Sequence, residues 1–119
     1  MIIVATDAPL DSRNLRRLAA RALAGMARTG SSFSNGSGDY VIAFSTARDL
    51  RIGVDEPRKT PAATMTNNAA SPFFRAVIEA TEEAIINSLF RATDVSSRFG
   101  SAKAIPIDDV IRLTRGRDG

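Results

Sequence analysis

Met1-Ile2-Ile3-Val4-Ala5-Thr6-Asp7-Ala8-Pro9-Leu10 is the stretch that decides the fold. Ile2 to Ala5 is a continuous apolar run rich in β-branched residues, and the Asp7-Ala8-Pro9 turn stops it. Such a run, with no polar alternation, predicts a strand buried on both faces. Chain termini ordinarily lie in solvent and fray. A buried strand opening at residue 1 therefore implies polypeptide upstream. The expectation is that this chain is one product of a cut precursor.

Beyond Pro9 the sequence predicts a helix from about Asp11 to Arg28, capped by Asp11 or Ser12. Leu15, Leu18, Ala19, Ala22, Leu23 and Met26 form one apolar stripe at three- and four-residue spacing. Gly30 is placed to end the helix in a left-handed turn. Arg13, Arg17 and Arg21 share another face with Arg16 beside them, and read as a solvated surface or a seam to a partner chain. Without interleaved aromatics they make a poor nucleic-acid footprint.

A small-residue loop follows from Gly30 to Gly38, and Asp39 to Thr46 predicts a second strand. Arg48 to Ala70, with Pro57 and Pro61, reads as a long functional or partner-facing excursion. Ser71-Pro72 marks a helix start, with Ser71 at the cap. Phe74, Val77, Ile78, Thr81, Ile85 and Leu89 mark one face of that helix, which runs to about Thr93. Ala102 to Ile107 predicts a short third strand, Asp108 caps a last helix through Val110, Ile111 and Leu113, and Arg115 to Gly119 frays. No internal repeat is present. The element order implies a layered α/β fragment, residues 1–119 forming one domain.

Composition narrows the chemistry. The chain has 119 residues, 44% hydrophobic and 24% charged, which excludes wholesale disorder. It has no Cys and no His. Thiol chemistry, disulfides, Cys/His zinc sites and a Ser-His-Asp triad supplied by this chain alone are thereby removed. No metal and no cofactor is called for. No stretch is long enough to span a membrane. The first residues lack the basic region of a secretory signal, and the expected location is cytoplasmic. Sixteen Lys and Arg against thirteen Asp and Glu give +3, which arginine-rich composition explains without a nucleic-acid partner.

Asn35-Gly36-Ser37-Gly38-Asp39 is the best candidate for chemistry. Its glycines allow tight turns and close approach of another group. Ser37 and Asp39, two apart on an extended segment, point to one side at the head of a strand. The alternative is a turn built from ordinary turn residues. A Ser needs a base, and this chain has no His to provide one. The Gly-x-Gly pair is not a phosphate loop, since no Lys-Ser/Thr and no helix follow. Glu79, Glu82 and Glu83 read as solvated helix acids rather than a metal or acid/base cluster.

Three blocks of the chain resemble one family. They are Ile2 to Leu10, the helix end Leu23-Ala24-Gly25-Met26-Ala27-Arg28-Thr29-Gly30, and Ser37-Gly38-Asp39-Tyr40 with Ala43-Phe44-Ser45-Thr46. Phe74-Arg75-Ala76 and Ala80-Thr81-Glu82-Glu83-Ala84-Ile85 fit the same pattern. Together they look like the smaller, C-terminal subunit of the L-aminopeptidase/D-esterase and β-aminopeptidase family. The likeness covers most of the chain and is weakest over Arg48 to Ala70.

The resemblance implies a precursor that cuts itself before a Ser or Thr into a larger α and a smaller β chain. The new N-terminal hydroxyl is the nucleophile, and its own α-amine is the base. It implies a four-layer α-β-β-α sandwich built by both chains, and a tetramer of αβ heterodimers. It puts the nucleophile one position before Met1. Thr6 and Ser12 are poor substitutes, because neither carries a free amine. Ser37 and Asp39 match the family's second serine and acidic residue, which orient the nucleophile and relay protons. Oxyanion donors would come from the α chain. The implied substrates are small peptides, amides or esters. One relative instead cleaves a pantetheine-like amide in carbapenem biosynthesis. The competing class is a small α/β binding domain using the arginine face and the Arg48 to Ala70 loop. Such a domain would stay soluble alone, whereas a β subunit would expose apolar surface and aggregate.

Overall fold

The computed structural model describes residues 1–54 and 65–116. Pro57, Pro61, much of the Arg48 to Ala70 excursion and the last three residues lie outside the described residues. The chain divides into two compact units, Met1–Glu82 and Glu83–Gly119.

The first unit is a strand-helix-strand motif with a second helix. Strands β1 (Ile2–Thr6) and β2 (Val41–Ser45) pair in parallel, from Ile2 opposite Val41 to Thr6 opposite Ser45. Parallel neighbours need a crossover, and helix α1 (Ser12–Arg28) supplies it. Ile2, Val4 and Val41 pack on a core of Ala8, Leu10, Leu18, Ala22, Ala70, Phe74 and Val77. Alternate residues face the other way: Ile3, Ile42 and Phe44 are 66%, 53% and 44% exposed. The expectation of a strand buried on both faces therefore fails within this chain. Helices cover one face only, and nothing in these residues covers the other.

The turn after β1 is fixed to the end of β2. The Thr46 amide donates to the Thr6 carbonyl (2.8 Å), and the Ser45 hydroxyl donates to the Ala8 carbonyl (2.6 Å). Thr6 Oγ1 accepts from the Ala8 amide at 3.1 Å, which gives this hydroxyl a structural task. Asp11 caps α1, its carboxylate accepting from the Asn14 amide at 2.8 Å. Gly30, at φ 98°, ends the helix in the left-handed region as expected.

Arg13 and Arg16 of the arginine face are exposed, while Arg17 and Arg21 are half-buried against this chain's own second helix. Arg17 and Arg21 stack on the Phe74 ring, 4.8 and 3.8 Å from its centroid, and Arg28 pairs with Glu82 at 2.9 Å. Both partners lie on helix α2 (Ser71–Phe90). The two helices meet most closely at Gly25. A Cβ there would lie 2.5 Å from the Ile78 carbonyl oxygen and 2.8 Å from Thr81 Cβ, so only glycine fits. Asn14, in the first turn of α1, is buried, accepting from Arg17 (3.0 Å) and donating to the Met65 carbonyl (3.4 Å). Ser71 is the first residue of α2 rather than its cap, since the Ala70 carbonyl already accepts from the Phe74 amide. The helix ends at Phe90, three residues short of the expected Thr93, and the Arg91 amide adds a last bond to the Asn87 carbonyl.

The second unit holds the end of α2, an antiparallel hairpin of β3 (Val95–Ser97) and β4 (Gly100–Ala102), and helix α3 (Ile107–Arg115). The strand expected at Ala102 to Ile107 is displaced to this hairpin. Gly100 turns the chain at φ 138°, and Pro106, with no amide to donate, breaks the later run. Asp94 fastens the hairpin by accepting from Lys103 Nζ (2.6 Å) and the Ala104 amide (2.8 Å). These bonds, led by that to Lys103, hold the Asp94 carboxyl below its ordinary value. Pro106, not Asp108, sits at the cap of α3. Asp108 and Asp109 fall in its first turn, where acids oppose the helix dipole favourably.

Candidate active site

Helix α1 ends beside the heads of the strands, and the loop 30–38 carries the chain from it to β2. Gly36 takes φ 92°, and the Ser37 amide closes a turn onto the Ser34 carbonyl at 3.0 Å. The chain then extends, and Ser37 and Asp39 come together as the two-residue spacing predicts. Ser37 Oγ donates to Asp39 Oδ2 at 2.7 Å, on the exposed surface. The Tyr40 ring lies over Gly38 between them: a Cβ there would meet Tyr40 Cε2 at 3.1 Å, a tight contact with an exposed ring.

The head of β1 lies alongside. The Ile2 amide donates to the Tyr40 carbonyl at 2.8 Å, and Ile2 pairs with Val41. Met1 is therefore level with Tyr40, and chain continuing upstream in the same register would run beside Asp39 and Gly38.

Chemically, the pair offers a hydroxyl polarised by a carboxylate. It can hold a proton between two atoms and orient a neighbouring amine. It cannot by itself deprotonate a nucleophile for acyl transfer. The helix acids are engaged elsewhere. Glu79 pairs with Arg75 at 2.7 Å, a contact that lowers its pKa, and Glu82 pairs with Arg28. Among the described residues no three His, Cys, Asp or Glu side chains group as a metal site. Sequence reasoning did not foresee the position of Tyr40 over the loop, since a single aromatic after Asp39 carries no spacing signal.

The profile of peptidase family S58 matches residues 1–103. The chain belongs to peptidase family S58. It is 37% identical over 120 residues to the β-peptidyl aminopeptidase BapA of Sphingosinicella xenopeptidilytica, covering 98% of this chain and 29% of that protein. Among solved structures it resembles the PH0078 protein of Pyrococcus horikoshii OT3 (TM-score 0.87, 44% identity, 98% of this chain and 33% of that one). It also resembles the L-aminopeptidase D-Ala-esterase/amidase of Ochrobactrum anthropi (TM-score 0.84, 30% identity, 98% and 33%), described as a variant of the Ntn hydrolase fold. This S58 chain thus spans about a third of the length of the relatives it matches, and shares the corresponding part of their α/β fold.

Proposed function

We propose that this S58 chain is the smaller, nucleophile-bearing part of a self-processing amide hydrolase of the N-terminal nucleophile type, an aminopeptidase acting on small peptides, amides or esters. The observation that carries this reading is the placing of the Ser37–Asp39 hydrogen bond beside the head of β1. The family membership and the aminopeptidase relatives support it, and favour it over the pantetheine-amide reaction and over a binding domain.

In this reading a Ser or Thr just ahead of Met1 becomes N-terminal when the precursor cuts itself. Its hydroxyl oxygen attacks the substrate carbonyl while its proton passes to the α-amine. The amine returns a proton to the leaving nitrogen, the C–N bond breaks, and water then hydrolyses the acyl ester. Ser37 and Asp39 orient the amine and relay the proton. Oxyanion donors come from a larger α chain. That chain also covers Ile3, Ile42 and Phe44, turning the bare sheet face into the middle of a four-layer α-β-β-α sandwich. Both units belong to one β subunit, and the αβ pairs form a tetramer of heterodimers. No described helix is long and apolar enough to cross a membrane. A cytoplasmic location is part of the same proposal.

The test is hydrolysis of L-amino-acid p-nitroanilides by the full-length protein, before and after the residue at the cut is changed to Ala. Turnover that disappears with the change supports the reading. A protein inactive on all anilides and amides, or one whose activity survives the change, overturns it.

A further inference from the structure

Strand β1 has one edge without a neighbour. In the register that sets Ile2 opposite Val41, the Ile2 amide donates to the Tyr40 carbonyl and the Thr6 carbonyl accepts from the Thr46 amide. Ile2, Val4 and Thr6 therefore turn their backbone groups toward β2. Ile3 and Ala5 turn theirs the other way, because bonding direction alternates along a strand. Among the described residues the sheet has no third strand to receive them. A bare edge invites pairing with another segment, and proteins that keep one bare guard it with charge, proline or a bulge. Ile2-Ile3-Val4-Ala5-Thr6 carries no charge and no proline, and its register runs without a bulge.

The helical layer reaches past this edge. A cavity of about 160 Å³ lies between Val4, Ala5 and Thr6 of β1 and Phe73, Ala76 and Ala80 of α2, with no residue of β2 in its lining. It is therefore on the outer side of β1, and at the opposite end of the strand from Ser37 and Asp39. Thr6 is the only polar residue that lines it. Ala76 and Ala80, one helical turn apart, are exposed. An apolar cavity of ~150 Å³ holds a group the size of benzene, so there is room here for one apolar side chain. Unpaired backbone groups beside a single apolar pocket are the two elements of strand addition: main-chain bonds give affinity, and the pocket selects the side chain.

We propose that the outer edge of β1 is a strand-addition site. Its occupant is a strand of the same protein's polypeptide ahead of Met1, which bonds to Ile3 and Ala5 and puts one apolar side chain into the cavity beneath α2. The relatives are about three times as long as this chain, which leaves ample sequence for such a strand. The source of the strand rests on the proposed hydrolase reading; its seat on β1 does not.

Two measurements on the natively purified full-length protein test this, and neither depends on activity. Hydrogen exchange resolved to single residues should show the Ile3 and Ala5 amides protected at least about a hundredfold over their intrinsic rates, as Val4 and Thr6 are by β2. Exchange of Ile3 and Ala5 near the intrinsic rate, with Val4 and Thr6 protected, would overturn the proposal. A photo-crosslinking benzophenone amino acid is then placed at Ala80 and, separately, at Ala76. Cross-links to a peptide from ahead of Met1 are expected from at least one position. Cross-links confined to residues 1–119, or none from either position, would overturn it. A protein that gives the expected protection and cross-links but hydrolyses no anilide would remove the hydrolase reading and leave the strand-addition site standing.

Discussion

The amide of Ile2 donates to the carbonyl of Tyr40 over 2.8 Å, and this bond sets the head of the first strand beside the loop that carries Ser37 and Asp39. A parallel pair of strands joined by one helix brings two segments nearly forty residues apart in sequence to a common edge. The candidate site residues Ser37 and Asp39 lie on the loop leading to that edge.

Ser37→Ala and Asp39→Ala each remove half of the 2.7 Å bond. In the full-length protein each should lower self-cleavage or turnover by orders of magnitude and leave the thermal midpoint nearly unchanged, because Ser37 is exposed and Asp39 only half-buried. Gel analysis of processing, with kinetics on an anilide, checks this. Retained activity in both variants would remove these residues from the site.

Gly25→Ala places a methyl group where backbone and side chain of α2 already stand. The helices must separate, and the expected destabilisation is about 1–3 kcal/mol. Chemical denaturation of the full-length protein measures it. A neutral result would mean that the α1–α2 seam is looser than the 2.5 Å approach implies.

Asp11→Ala removes the one side-chain cap on α1. A loss of about 1 kcal/mol is expected, and Asp11→Asn should recover most of it. Comparing the denaturation midpoints of the two variants decides the point.

Asp94 responds to pH in a definite direction. Its carboxyl is held below the ordinary value by Lys103 and the Ala104 amide, so it stabilises the hairpin above the unfolded pKa. That contribution is lost as pH falls through the folded pKa. The protection of the Ala104 amide against hydrogen exchange, relative to the intrinsic rate at each pH, should fall in acid, and Asp94→Asn should show the reduced protection already at neutral pH. Equal exchange in wild type and variant at neutral pH would contradict the assignment.

Expressed without the rest of its protein, the chain should bind a hydrophobic dye and aggregate, because Ile3, Ile42 and Phe44 lie bare on one sheet face. Solubilising this face with Ile3→Asp should reduce aggregation of the chain alone and disrupt assembly of the full-length protein. A soluble, monodisperse chain that binds no dye would favour a stand-alone binding domain.

What could be read from the sequence followed the strength of local signals. The β-branched runs Ile2 to Ala5 and Val41 to Phe44 mark their strands, and Asp11 and Gly30 mark both ends of α1. Ser37 and Asp39 came together because two-residue spacing on extended backbone fixes their side without tertiary information. Where the partner is distant in sequence, local reading failed. Arg17 and Arg21 read as surface because Phe74, the ring they cover, lies more than fifty residues away. The β3–β4 hairpin was missed because Val95-Ser96-Ser97 is a weak strand former, while the apolar residues around Pro106 imitate one. The second face of the sheet was read as buried because an apolar run says that a surface needs cover and not which chain provides it.

The most direct test of the central claim is N-terminal sequencing and denaturing intact-mass measurement of the natively purified full-length protein. The account predicts two chains, the smaller beginning with a free Ser or Thr just ahead of Met1. A single uncut polypeptide that hydrolyses the anilide, or a cut elsewhere in the sequence, would contradict it.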